Sequence, residues 1–383
     1  MIVMEELKRD LLNPFPWYKV MRSSKPVFRD TDSGLWNVFR YYDVKRVLGN
    51  FNEFSSQFGK AFNPAGGPIS ESIINLDPPR HTKLRNIVSR AFTPRAVEKM
   101  EPVIRDICEN LLSKHQGGRF DIVKEFTSPL PVTVIATMLG IPISDMDKFK
   151  KWSDNVVGGS QRDFAEFPSM MKEMVEYFRR MIAQRKSDPK DDLITAIINA
   201  EVDGENLTEL ESLGFFILLL VAGNETTTNL ISNSLLCIDE NHETFNELKS
   251  SPELIPQAIE EVLRFRSPVQ SIYRVAKKDT LINGTMVPAG SIIVPWIGSA
   301  NRDESIFSNA DQFDIHRKEN RHIAFGEGIH YCLGAPLARL ESKVALEMLL
   351  KEYDSIEVDR SIPMIPQNST IVYGLRELTV KVS

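Results

Sequence analysis

Hydrophobic positions recur along this chain mostly at helical spacing, broken by short runs that read as strands. Val27-Phe28 and Leu35 to Phe39 flank Asp32-Ser33-Gly34 and predict a hairpin. Asn283-Gly284, between Thr280-Leu281-Ile282 and Ser291 to Trp296, predicts a second. A third strand pair is expected around Ile371 to Tyr373 and Leu378 to Val382. Asp77-Pro78-Pro79 offers an N-cap residue and then prolines at the first positions of a helix running through His81 to Phe92. Thr208-Glu209-Leu210-Glu211 matches a capping box, so a long helix starts at Thr208. It runs past Ile238, which makes it roughly 45 Å long at the usual rise per residue. A helix of that length crosses a whole domain, and its middle is buried.

That middle reads Ala222-Gly223-Asn224-Glu225-Thr226-Thr227-Thr228. A buried carboxylate is costly unless paired or used. Gly223 costs about 1 kcal/mol against alanine inside a helix. The threonine hydroxyls can bond back to carbonyls and bend the helix. A polar face turned to solvent, or a loop between two shorter helices, would also give this pattern. The functional alternative is a place where something flat meets the backbone at Gly223 and where an adjacent acid and alcohol pass protons.

Composition narrows the class. The 383 residues carry a net charge of −6 with no long basic run, which argues against a nucleic-acid partner. Three cysteines, Cys108, Cys237 and Cys332, are too few and too scattered for a disulfide framework and point to a reducing, cytoplasmic setting. Charges interrupt the first seventeen residues, unlike a signal peptide. The longest apolar run, Phe215 to Ala222, is far below the ~20 residues of a membrane span, so no membrane anchor is expected.

The second unusual stretch is Phe325-Gly326-Glu327-Gly328-Ile329-His330-Tyr331-Cys332-Leu333-Gly334, followed by a helix start at Ala335-Pro336. A cysteine just ahead of a helix N-terminus gains thiolate character from the dipole and the free amides. Gly326, Gly328 and Gly334 let such a loop turn tightly. A lone Cys in a Gly-rich turn is more often buried and inert. No GxGxxG or P-loop is completed here. Cys332, His330, His322 and His316 could form a metal cluster, though their spacing fits no familiar zinc pattern.

Phe325, Gly328, Cys332 and Gly334 match the FxxGxxxCxG haem-binding signature, and the chain resembles the cytochrome P450 superfamily, nearest its soluble bacterial and archaeal members. The AGNETTT stretch resembles that family's oxygen-activation motif, and the two motifs occur in the expected order. Glu261-Val262-Leu263-Arg264 matches the family's ExxR pair, and Arg317 its third structural partner; the spacing alone is uninformative, since Glu6/Arg9 and Glu176/Arg179 share it.

The resemblance implies a mainly α fold with small β-sheets, a triangular helical prism with a β-rich lobe. Residues 1–383 would form a single domain: β-rich about 25–60 and 270–300, with a helical haem-binding core about 75–265 and 325–352. It implies haem b (iron-protoporphyrin IX), with Cys332 as the metal ligand. His81, Arg85, Arg274 and His330 would hold its propionates. Ala222, Gly223, Thr226, Phe325, Gly326 and Gly334 would also line it, Gly223 leaving room above the ring. Thr226 and Glu225 would be catalytic, as the hydroxyl that assists dioxygen activation and the proton relay to solvent.

The function implied is a monooxygenase that takes O2 and hydroxylates an apolar small-molecule substrate. Electrons would come from a separate ferredoxin-type donor and its reductase, docking near Arg317, Arg321 and Arg339. Substrate contacts are expected from Phe58 to Ile74, Val156 to Met171, Phe216 to Ala222, Val269 to Ile272 and near Val294. A peroxide-driven peroxygenase or a non-catalytic haem-thiolate sensor are the alternatives; the intact Glu225-Thr226 pair disfavours both.

Overall fold

The computed structural model describes residues 9–57, 67–90, 92–157, 167–202 and 204–383. Eight of its helices frame the chemistry: α1 (Phe15–Ser24), α2 (Tyr41–Gly49), α3 (Arg80–Ser89), α4 (Glu101–Leu112), α5 (Pro129–Met138), α6 (Glu209–Glu240), α7 (Ile255–Phe265) and α8 (Ala335–Glu352). α6 is the axis. Thr208 caps it as expected: its Oγ1 accepts the Glu211 amide at 3.3 Å, and the Glu211 carboxylate accepts the Thr208 amide at 2.9 Å. Arg80 of α3 pairs with the same Glu211, tying the two helix starts together. Most of α6 is buried. It is long and apolar enough to cross a membrane by composition alone, but 61% of that window is buried within the fold. Helices α4, α5, α7 and α8 close around it in one apolar core.

The main sheet has five strands. β1 (Val27–Arg29) pairs antiparallel with β2 (Trp36–Val38), forming the first expected hairpin. β3 (Phe54–Ser55) forms one edge of the sheet, against β4 (Arg274–Ala276). The Asn283-Gly284 turn joins β5 (Thr280–Ile282) to β6 (Thr285–Val287), so the expected partner, Ser291 to Trp296, is wrong. That segment is β7 (Ile292–Pro295), which pairs parallel with β2 and antiparallel with β4. A two-residue turn closes only the strand directly after it. The C-terminal expectation also changes partners. β8 (Thr379–Val382) pairs with Ile356–Val358 and Gly118–Asp121, while Val372 bridges to Val269.

Asp77 does not cap α3. Its carboxylate accepts from the Ser55 hydroxyl at 2.7 Å and the Ser56 amide at 2.9 Å and pairs with Lys277 at 3.0 Å, anchoring the helix start to the sheet.

On the other side of α6, Glu261 and Arg264 of α7 are fully buried. Arg264 grips Glu261 through Nε at 2.8 Å and Nη2 at 2.7 Å. Arg317 joins the same carboxylate at 3.0 Å. The ExxR spacing therefore builds a buried three-residue ion cluster, one carboxylate between two guanidiniums. Removing the central charge leaves two buried cations unmatched. Glu261→Gln should cost about 3 kcal/mol or more, seen as a lower denaturant midpoint; an unchanged midpoint would show that the cluster does not hold this side of the fold.

Candidate active site

Cys332 lies between a 3₁₀ turn, Gly328–His330, and the start of α8. The loop closes on itself: the Cys332 amide donates to the Phe325 carbonyl at 2.9 Å, and the Gly326 amide to the Ile323 carbonyl at 2.9 Å. Gly328 has φ +71°, and a Cβ there would meet the Gly49 backbone of α2 at 2.9 Å. Gly334 has an ordinary φ of −82°, so tight turning does not explain it. A Cβ at 334 would instead lie 4.0 Å from the Cys332 sulfur.

The side chain of Cys332 is accessible, whereas Cys108 and Cys237 are buried and inert. Although Cys332 keeps accessible surface, the dense protein around its sulfur raises the thiol pKa, against the amides of Gly334 and Ala335 and the charges of Arg85 and Arg339. The helix-start amides are present as the sequence suggests, but burial outweighs them in the protein alone. A metal ion on the sulfur would reverse that balance, because a coordinating thiol is deprotonated.

Beside Cys332 four basic side chains converge. The rings of His81 and His330 lie 4.3 Å apart. Burial, then neighbouring cations, pushes His81 down to about 4 and His330 down to about 3. Arg274, on β4, is buried; burial pulls its pKa down to about 10, and its one side-chain hydrogen bond among the described residues is to the adjacent Tyr273 carbonyl. Arg85 donates to the Tyr331 carbonyl at 2.7 Å. Both ring nitrogens of His81 and Nε2 of His330 are buried with no hydrogen-bond partner among the described residues. The nearby carboxylate, Asp77, is committed to Ser55, Ser56 and Lys277. Buried polar groups are nearly always matched, so this quartet is built for acceptors that come from outside the chain. Two carboxylates on an otherwise apolar group fit it.

The metal-cluster alternative is not supported. His316 pairs with Glu247 and His322 with Glu260, and no group of three or more His, Cys, Asp or Glu among the described residues is placed to hold a metal ion.

On α6, Ala222 is exposed and Gly223, Glu225 and Thr226 are half-buried, while Asn224, Thr227 and Thr228 are buried. The helix is continuous, so the alternative of a loop is wrong. Thr226 Oγ1 donates to the Ala222 carbonyl at 2.8 Å, the back-bonding expected of a helical threonine. Glu225 has no partner among the described residues, and burial alone raises it to about 7. Gly223 also bears on how α6 packs against α5. A Cβ there would meet the Ile135 side chain of α5 at 3.2 Å, so the glycine permits close helix packing. Thr228 reaches the Thr127 carbonyl at 3.1 Å and serves structure.

The sequence missed a second ion cluster around the loop. Glu260 accepts both Nε and Nη2 of Arg339, at 2.6 and 2.9 Å, and His322 at 3.0 Å. Burial opposes its charge, but these partners overcome that and hold it at about 2. The Arg339 guanidinium lies 4.5 Å over the Phe325 ring. The signal available was the doubled acid Glu260-Glu261 on α7.

Of the three docking cations, Arg317 is buried on Glu261 and drops out of that expectation; Arg339 is held by Glu260 but stays partly exposed, and Arg321 is exposed near Glu319. Among the substrate segments, residues 58–66 and 158–166 lie outside the described residues. Val294 packs in an aromatic cluster with Tyr18, Phe39 and Trp296, and Phe216 packs on Phe178, so neither side chain is free for substrate. Leu218, Leu219, Val221 and Ala222 keep accessible surface.

The Cytochrome P450 family profile matches residues 32–161 and 154–382. Cytochrome P450 109 of Bacillus spizizenii is 44% identical, over 100% of this chain and 96% of that protein. The erythromycin C-12 hydroxylase of Saccharopolyspora erythraea is 39% identical, over 95% and 93%. The crystal structure of CYP109E1 from Bacillus megaterium with corticosterone superposes with a TM-score of 0.90 at 44% identity, covering 98% of this chain and 99% of that one. With the Cys332 loop, the buried ion cluster on α7 and the unmatched basic quartet in place, the chain belongs to the cytochrome P450 family and is a haem-thiolate monooxygenase acting on a small molecule.

Proposed function

We propose that this single-domain protein is a cytoplasmic monooxygenase that binds haem b through Cys332 and hydroxylates an apolar small molecule. The observation that carries the site assignment is the basic quartet with three orphaned imidazole nitrogens. His81, Arg85, Arg274 and His330 would take the two propionates, restoring the partners those groups lack. Haem supplies dioxygen binding and the oxidising power that inserts one oxygen atom into substrate, using two electrons and two protons.

The remaining work belongs to the chain. The amides of Gly334 and Ala335 point hydrogen bonds at the Cys332 sulfur and moderate how much electron density it donates. Arg339, clamped by Glu260, stacks on Phe325 and holds the loop's first residue in place. Thr226 donates its hydroxyl to the Ala222 carbonyl, beside accessible surface, which leaves the oxygen free to accept a hydrogen bond and hold a proton-carrying group there. Glu225, near neutrality in its pKa, accepts and releases protons at working pH. Leu218, Leu219, Val221 and Ala222 offer substrate an apolar helix face. The complexes of CYP109E1 with corticosterone and testosterone suggest a steroid-sized upper range. A ferredoxin-type protein and its reductase deliver the electrons.

The reduced protein under carbon monoxide should show the far red-shifted Soret band of thiolate-ligated haem, and Cys332→Ala should abolish it. A band at the position of histidine-ligated haem in the parent protein would overturn the assignment.

Thr226→Ala should retain haem while electron coupling to product falls by about tenfold or more, the rest appearing as peroxide. Coupling equal to the parent's would remove Thr226 from proton delivery.

Glu225 gives a pH signature. Its pKa is raised from 4.5 to about 7, so the folded state keeps a proton that the unfolded state has released. Stability should therefore fall through this group as pH rises from 4.5 to about 7. Product formation that needs the protonated acid should decline above about pH 7. Glu225→Gln should flatten both profiles; unchanged profiles would exclude Glu225 as the titrating relay.

A further inference from the structure

A cavity of about 590 Å³ lies at the C-terminal end of α6, away from this chemistry at its middle. Leu236 and Glu240 of α6 line it, and Leu236 is ten residues beyond Thr226, roughly 15 Å along the axis. No residue of the Cys332 site takes part in its wall. The volume falls within the range of small-molecule sites, about 300–1,000 Å³. Leu12, Phe15, Leu236, Met364 and Leu375 form an apolar wall.

The polar part of the lining is unbalanced. Arg266 is matched by Glu240, at 2.8 and 2.6 Å. Asp311 serves Lys19 at 2.9 Å and reaches Arg302 at 3.5 Å. Three cations thus share two carboxylates, and Arg302 is the one poorly served. It is 4% exposed, and its guanidinium is stacked between the rings of Phe15 and Phe265, 3.6 Å from each centroid. Nε donates to the Phe265 carbonyl at 2.8 Å, and Nη2 has no hydrogen-bond partner among the described residues. A stacked guanidinium cannot swing away to find water, so its free edge keeps a fixed direction. Burial, then Arg264 and Arg266, lowers its pKa to about 9, which shows how weakly its charge is compensated.

We propose that this cavity is a second small-molecule site, which takes an apolar monocarboxylate and pairs its carboxylate with the free edge of Arg302. One anion balances the lining, and apolar wall surrounds the rest of the ligand. A planar guanidinium is suited to a carboxylate, and the pairing is strong where water is partly excluded. A ligand here would bridge α1, the ends of α6 and α7 and the C-terminal segment around Tyr373 and Leu375, without entering the oxidation site.

The test uses the haem-bound protein saturated with 4-phenylimidazole, which occupies the iron site, and 2-naphthoate as the probe. Titration calorimetry should show one naphthoate bound per protein with no change in the Soret band. Leu12→Trp, which fills the cavity from its rim, should weaken binding by about tenfold or more. Lys19→Glu, at an exposed position, should weaken naphthoate by a few fold and leave 2-naphthalenemethanol unchanged. The proposal fails if no heat is detected with the azole in place, if naphthoate displaces the azole, or if neither variant weakens it. Equal affinity for the neutral alcohol would also overturn it, because the carboxylate would then have no role.

Discussion

One buried carboxylate, Glu261, holds the part of the fold that presents Cys332. It pairs with both Arg264 and Arg317 and also accepts the Asp314 amide at 3.0 Å and the Asn320 side chain at 3.2 Å. The two arginines spread outward over the carbonyls of Asn301, Ser308, Asn309, Ala310 and Gln312. That segment has almost no regular secondary structure, so its carbonyls would otherwise lack partners. Asn301 passes the constraint on. Its Oδ1 accepts the Ile323 amide at 2.8 Å, and the Ile323 carbonyl accepts Gly326. Gly326 opens the turn that ends at Cys332. A local i, i+3 pair on α7 thereby fixes a loop some seventy residues later, and a network of this kind works only when every member is satisfied.

How much of this was legible in the sequence depended on how local the cause was. The Thr208 capping box lies within four residues, and the helix starts there. The Asp32-Ser33-Gly34 turn and the Cys332 loop before α8 were equally local and came out as read. The partners of β7 and β8 did not, because strand pairing across more than a turn is decided by packing elsewhere in the chain. Asp77 resembles an N-cap in sequence, but Ser55 and Lys277 compete for it in space. Gly223 resembles a place for a ligand, and its contact with the Ile135 side chain of α5 could be known only from the fold. Motif order singled out Cys332, Glu225 and Thr226, and the fold leaves each of them with accessible surface. The unpaired state of His81 and His330 was not legible, because burial and missing partners are tertiary facts. Glu260 was hidden in plain view beside Glu261, since both acids sit on one helix and only the fold separates their partners.

α6 reconciles two demands that oppose each other. To cross the core it must be apolar on nearly all sides, and the proton handling proposed for it needs an acid and an alcohol at mid-length. The periodicity of the helix divides the work. Asn224, Thr227 and Thr228 turn to the packed side, where Thr228 finds the Thr127 carbonyl. Ala222, Glu225 and Thr226 keep accessible surface. Thr226 satisfies its own donor within the helix, so its hydroxyl oxygen remains free to accept. Glu225 has no partner among the described residues, so burial moves its pKa toward neutrality uncompensated.

The same logic governs the basic quartet. An ion pair within the chain would have stabilised His81, Arg274 or His330 and would also have filled the positions proposed for a ligand's carboxylates. Leaving them unmatched raises the energy of the protein alone. Two imidazoles are driven to their neutral form and Arg274 is desolvated with little return. An anion that binds the folded state recovers what the chain left unsatisfied, so binding and folding stability are linked through these side chains. Arg302 repeats the pattern on a smaller scale at the far end of α6, where a stacked guanidinium keeps one edge unmatched. In both places the informative feature is a buried cation whose partner the chain does not provide, and the chemistry of the missing partner can be read from the donors that wait for it.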